Sequence, residues 1–323
     1  MVSLALLPLL LASPSALVAA WDKPTLFPDP AGLSVLDTGF RQMIPAPGVR
    51  YLNTEGWKDR MPRACAEEGE SIQESGMMRC PLWNMDVFTV HYADVPDDVA
   101  WLFCRCRDAD YSQQTMIDEF GRLPIAIRQR VRYVMSFKGL KFAGTSNNDL
   151  MLQEISPTVM LHEAAHCFDD NGSKSGTANY ESAIAKDTCW ADGYAQHQGE
   201  NNNRADPWAQ VLILRLYQTL VGPLPNVKDK DLGCLWNQLK VVSQQTDELI
   251  RAGQSGKFDY SKKRGYGEIG LRTDYATGFP NVGATSDMAS KMRKLEEAAT
   301  QIKHSVAPKK RTVGDSVSRL WRA

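Results

Sequence analysis

Histidine is scarce in this chain of 323 residues, with five in all, and neither charge sign is in excess, with 37 Lys and Arg against 38 Asp and Glu. Balanced charge excludes the uncompensated basic surface that phosphate neutralisation requires, so nucleic acid is not expected as a partner. Beyond the first twenty residues no apolar run is long enough to span a bilayer, and no repeat recurs at a solenoid period. Paired CxxC knuckles are also missing, which excludes a Cys-rich zinc cluster. What remains, at 43% hydrophobic and 23% charged, is a globular composition long enough to bury its own core.

The apolar run Leu4 to Ala20, broken by Pro8 and Pro14 and ending in Val18-Ala19-Ala20, has the form of a cleaved secretory signal over residues 1–20. A secreted, extracellular protein is expected, with no membrane association after cleavage. All seven cysteines follow this run; in an oxidising compartment they are expected to be disulfide staples, with at least one left over. The sequon Asn171-Gly172-Ser173 fits the same route.

The mature chain divides by pattern. Residues 21–76 are Pro-rich and read as a loop-rich first segment. Residues 77–252 read as the catalytic domain, with strands over Met85 to Tyr92 and Trp101 to Cys106, a helix from Ser112 to Arg122, and a strand or hairpin around Gly139 from Tyr133 to Phe142. Gly144 to Asp149 reads as a polar loop. Ser156-Pro157 and Asp206-Pro207 each supply a cap followed by Pro at the first helical position, so helices are expected to about Asp169 and Leu220, and a third over Leu232 to Arg251. Residues 253–323 read as loops, a terminal helix over Met288 to His304 and a polar tail.

The chemistry sits in His162-Glu163-Ala164-Ala165-His166, an HExxH pattern inside the helix begun by Ser156. Histidines at i and i+4 differ by only about 40° around a helix axis, so both imidazoles can reach one ion at about 2.0 Å. Glu163 then borders the open coordination position and can take a proton from attacking water. With five histidines, the pattern arises by chance on the order of once in two hundred such chains. Zn2+ is the expected metal, since imidazoles and a carboxylate suit a borderline-soft, redox-inert ion. Asp169 and Asp170 close the same helix; either could hold an imidazole N–H, or both simply form a turn. For the third ligand, Asp187, Asp192, Asp206 and Glu181 compete. Asp206 reads as a helix N-cap; Asp192 is at no obvious cap, and Tyr194 two residues on could donate to an oxyanion. Asp192 is therefore the expected ligand, with Glu163 and Tyr194 as catalytic residues.

At these residues the chain resembles the secreted fungal zincin-type peptidases of the deuterolysin and lysine-specific metalloendopeptidase group. Ser175-Gly176-Thr177-Ala178-Asn179 is similar to that group's GTxD ligand loop, with Asn at the Asp position, and Ala205-Asp206-Pro207-Trp208-Ala209 to its ADxYA segment. It also resembles fungal conidiation-specific proteins, through Cys104-Arg105-Cys106, His162 to His166, and Asp187 to Ala195. The resemblance implies an α+β, zincin-like fold: a small mixed sheet packed on the HExxH helix, then a mainly helical half. It implies a zinc-dependent metalloendopeptidase acting on a protein or peptide, or a degenerate zincin that binds zinc or an extracellular partner without hydrolysis.

Overall fold

The structure, a computed structural model, describes residues 23–74, 80–139, 143–227, 229–254 and 258–276. The signal sequence, the terminal helix and the polar tail expected above lie outside them. Strands are β1 (Thr25–Phe27), β2 (Val49–Asn53), β3 (Arg60–Pro62), β4 (Met85–Tyr92), β5 (Trp101–Cys106), β6 (Tyr133–Ser136), β7 (Ala143–Ser146), β8 (Asp149–Leu152), β9 (Trp190–Asp192) and β10 (Ile269–Leu271). Helices are α1 (Asp37–Met43), α2 (Arg63–Glu74), α3 (Gln113–Gly121), α4 (Ile125–Arg128), α5 (Pro157–Asp169), α6 (Ala178–Lys186), α7 (Gly193–Glu200), α8 (Ala205–Leu220), α9 (Asp229–Leu232), α10 (Trp236–Gln254) and α11 (Arg272–Ala276). The architecture is mixed α/β, and no helix among the described residues is long and apolar enough to cross a membrane.

The principal sheet runs β2-β4-β5-β6-β8-β7. Its two central strands are near-continuous apolar runs: β5 and β6 are buried on both faces, as strands covered on both sides must be. They pair in parallel, Leu102 opposite Tyr133, and β8 continues the parallel set. β7 returns antiparallel at the edge, with Thr145 opposite Leu150.

Here the expectations need correction. The hairpin is not between β6 and a strand around Gly139, because β8 lies between β6 and β7. The expected polar loop 144–149 is itself the turn of a hairpin, made by Asn147 and Asn148 at φ 51° and 66°. Two successive left-handed residues are what a tight two-residue hairpin needs, and Asn tolerates them. Nor do boundaries at 76 and 252 divide the fold. The first segment contributes β1, paired with β9, β2 at the edge beside β4, and β3, paired with β10.

Three disulfides fasten these pieces: Cys65–Cys104, Cys80–Cys106 and Cys189–Cys234. Cys104 and Cys106, two apart on β5, share one face of the strand and so tie α2 and the following segment to the sheet. Cys167 is the unpaired and buried one.

α5 starts as its sequence dictates. Ser156 Oγ accepts from Val159 N–H, Pro157 opens the helix, and Asp170 closes it in the left-handed region. Ala164, Ala165 and Phe168 are fully buried in the same core as Trp208, Leu212 and Leu216 of α8. The small alanines let α5 lie close to the sheet and to α8, which sets the position of everything at the site.

Candidate metal centre

His162 and His166 do converge. Their Nε2 atoms are 3.1 Å apart, and Asp206 Oδ1 lies 3.0 Å from His162 Nε2 and 3.1 Å from His166 Nε2. Among the described residues these three form the group of side chains that could hold a metal ion. Donor atoms about 2.0–2.1 Å from a tetrahedral zinc stand about 3.3–3.4 Å from one another. The triangle is within a few tenths of an ångström of such a face, so the donor set fits zinc.

Asp192 is not part of this triangle. Its Oδ1 accepts from Ala195 N–H at 2.8 Å, capping α7, and its Oδ2 accepts from Gln210 Nε2 at 2.7 Å. Asp206, expected as a helix cap, is the carboxylate that meets the imidazoles. The two have exchanged roles for a local reason. α8 begins at Ala205 rather than at Pro207, and Asn203 Oδ1 takes the N–H groups of Ala205 (2.9 Å) and Asp206 (3.3 Å). With that cap supplied by Asn203, the Asp206 carboxylate turns inward and accepts instead from the Asn203 side-chain amide. Packing of α8 on α5 then carries it to the two rings.

The remaining acidic candidates are occupied elsewhere. Asp187 accepts the N–H groups of Asn237 and Gln238, both at 2.9 Å, at the start of α10. Glu181 is exposed and pairs with Arg204 at 3.3 Å. Asp169 accepts from Ser175 N–H and Oγ, closing the turn after α5, and Asp170 pairs with Arg264 at 3.0 Å. Asn179 is exposed on α6, whose cap is Thr177, so the stretch likened to GTxD is a helix start.

Glu163 is buried, and Thr145 Oγ1 on the edge strand β7 lies within hydrogen-bond reach of both its backbone oxygen (2.8 Å) and its Oε2 (2.9 Å). Tyr194 stands at the rim: its hydroxyl donates to Asp206 Oδ1 at 3.4 Å, and its ring meets that of His162 edge-on, centroids 5.4 Å apart. Three contributors went unseen in the sequence, namely Thr145, Asn203 and Gln210. Gln210 follows Asp206 by four positions and so shares its helix face; placing the ligand at Asp206 would have exposed it.

The electrostatics follow from the close approach. Burial alone would lower the His162 pKa, but the hydrogen bond to Asp206 and the charges of Glu163 and Asp206 outweigh it and raise it to about 9. Burial alone would raise Asp206; its bonds to the two imidazoles instead hold it well below the usual carboxylate range. Asp192 is pushed up to about 6 by burial, opposed by the Ala195 N–H and the charge on His162. The site thus holds a strong preference for positive charge between the two rings and Asp206.

A family model, conidiation-specific protein Con-13, matches residues 29–272. The chain therefore belongs to the Con-13 family. Conidiation-specific protein 13 of Neurospora crassa is 27% identical over 234 residues, covering 68% of this chain and 64% of that protein. The chain thus spans less than two thirds of that relative's length. No solved structure matches. These findings correct the resemblance to the deuterolysin and lysine-specific metalloendopeptidase group: the matching family and relative are conidiation-specific proteins, whose names state no chemistry.

Proposed function

We propose that the chain is a secreted, zinc-dependent endopeptidase with a zincin-like architecture, in which His162, His166 and Asp206 hold the metal. The observation that supports this is the near-equilateral triangle of two imidazole nitrogens and one carboxylate oxygen beside a buried glutamate on the same helix. Held by these three side chains, zinc would supply Lewis acidity, polarising a carbonyl and lowering the pKa of water toward neutral. Glu163 takes the proton of the attacking water and delivers it to the leaving amine, and Thr145 keeps its carboxylate from swinging away. Tyr194, at the rim, can donate its hydroxyl to the developing oxyanion. A protein or peptide is the substrate class this chemistry takes. The three disulfides support passage through an oxidising compartment.

The test is the metal content of the purified mature chain and casein cleavage by wild type and Glu163→Ala. Stoichiometric zinc is expected in both, with cleavage lower by about 10²–10⁴-fold in the variant. Absence of zinc, or equal cleavage by the variant, overturns the reading. One observation favours a second reading, zinc binding without hydrolysis: the donors are enclosed, with the side chains of His162 and Asp206 only 10% exposed and His166 the most open at 22%. Zinc with no cleavage by wild type would select it.

A further inference from the structure

Behind His162 a second line of hydrogen bonds leads away from the three donors. Its Nδ1 lies 3.1 Å from Gln210 Oε1, and Gln210 Nε2 donates to Asp192 Oδ2 at 2.7 Å. All three side chains are buried. Asp192 is itself fixed on several sides. Ala195 N–H donates to it at the start of α7, and β1 pairs Phe27 with it. A Cβ on Gly32, whose φ is +48°, would stand 3.2 Å from Asp192 Oδ2. The chain is therefore turned tightly against this carboxylate.

The direction of the line follows from the chemistry of its members. An ionised carboxylate only accepts, so Asp192 admits only the NH₂ end of the Gln210 amide. That turns the amide oxygen toward the ring. An amide oxygen also only accepts, so Nδ1 of His162 must carry the hydrogen. In a neutral imidazole the lone pair is then on Nε2, the atom 3.0 Å from Asp206 Oδ1.

We propose that Asp192 and Gln210 are positioning residues that hold His162 as its Nδ1–H tautomer, so that Nε2 presents its lone pair to a divalent metal shared with His166 and Asp206. This rests on the metal-binding reading above and deepens it: Asp192 belongs to the site as the anchor of a ligand's partner, two hydrogen bonds behind His162. Outer hydrogen bonds of this kind orient a ligand and raise its basicity.

The full mature chain tests this in three forms: wild type, Gln210→Leu, and the double variant Asp192→Asn/Gln210→Glu. The double variant exchanges the two groups, so that the new amide donates to the new carboxylate, which still accepts from Nδ1–H. Zinc affinity is read by competition with a chromophoric chelator, and the His162 Nδ1–H proton by ¹⁵N-edited proton spectra of the metal-free protein above about pH 9, where the ring is neutral and only one nitrogen carries a hydrogen. Gln210→Leu is expected to weaken zinc binding by about 10–100-fold and to lose the exchange-protected Nδ1–H signal. The double variant is expected to recover both, within a few-fold in affinity, a rescue that simple packing would not give. Unchanged affinity in Gln210→Leu, or no recovery in the double variant, overturns the relay. Should wild type bind no zinc, the metal reading itself falls, and the proton signal still decides the relay: its persistence in Gln210→Leu overturns it. Should Gln210→Leu fail to fold, the double variant alone carries the decision.

Discussion

Replacing Asp206 by Asn keeps the volume of the side chain and removes only its charge, so its effect measures what that charge does for the two rings. Oδ1 stands 3.0 and 3.1 Å from the imidazoles, and in the metal-free protein, against the lowering effect of burial, the carboxylate together with the charge of Glu163 raises His162 to about 9. Without it, the buried ring can release its proton rather than stay charged and unpaired. The metal-free loss at neutral pH is therefore capped at about 3 kcal/mol, the cost of that release. Because the folded-state pKa of His162 is raised, this stabilisation is fully present below about 6.5. It fades as pH climbs through about 9, so the gap between wild type and variant narrows over that window. Zinc adds a second term. At a concentration 100-fold above its Kd, zinc stabilises wild type by about 2.7 kcal/mol, or about 5–10 °C in Tm for a domain of this size. If loss of the charged ligand weakens binding 100-fold, the same zinc concentration equals the new Kd. The gain then falls to about 0.4 kcal/mol, or about 1–2 °C. Differential scanning calorimetry with and without zinc reads both terms. A variant that retained the full zinc-induced shift would remove Asp206 from the site and refute the assignment built on the triangle.

Two further outcomes follow from the fold. Cys189–Cys234 closes a 45-residue span between β9 and the turn before α10; Cys189→Ala/Cys234→Ala is expected to cost about 2–4 kcal/mol through the unfolded state, read as a lower urea midpoint, and an unchanged midpoint would deny the bridge a stabilising role. Lys263 is packed between the rings of Trp101 and Tyr266, and burial lowers its pKa to about 8. Between about 8 and 10.5 the unfolded chain holds a proton the folded one has released, so folding gains stability with rising pH there. Lys263→Met is then expected to be more stable than wild type at pH 7, with the gap closing by about pH 10; a gap independent of pH would contradict the burial argument.

Much of the local structure was legible. The alternation of Met85 to Tyr92 and the short run of β-favouring residues from Trp101 to Cys106 mark strands, and these are β4 and β5 residue for residue. Ser156-Pro157 marks the start of α5, because a cap and a proline act within one turn. Other signals competed with tertiary choices. Asn147-Asn148 looked like loop and became a hairpin turn, since left-handed Asn is equally at home in either and only the pairing of β7 with β8 decides. Asp206-Pro207 looked like a helix start, and the side chain of Asn203 took the cap instead.

The sequence by itself determined that two imidazoles and a glutamate share one turn of a capped helix, because helical spacing is set by the backbone and reaches only four residues. The tertiary structure alone decided which carboxylate faces them, how the strands are ordered, and what stands behind His162. Several acidic side chains follow His166 within 40 residues, each able to cap, pair or ligate with similar local energy. The choice among them was made by the docking of α8 on α5, a contact across 44 residues of sequence whose driving force is apolar burial, to which the carboxylates contribute almost nothing.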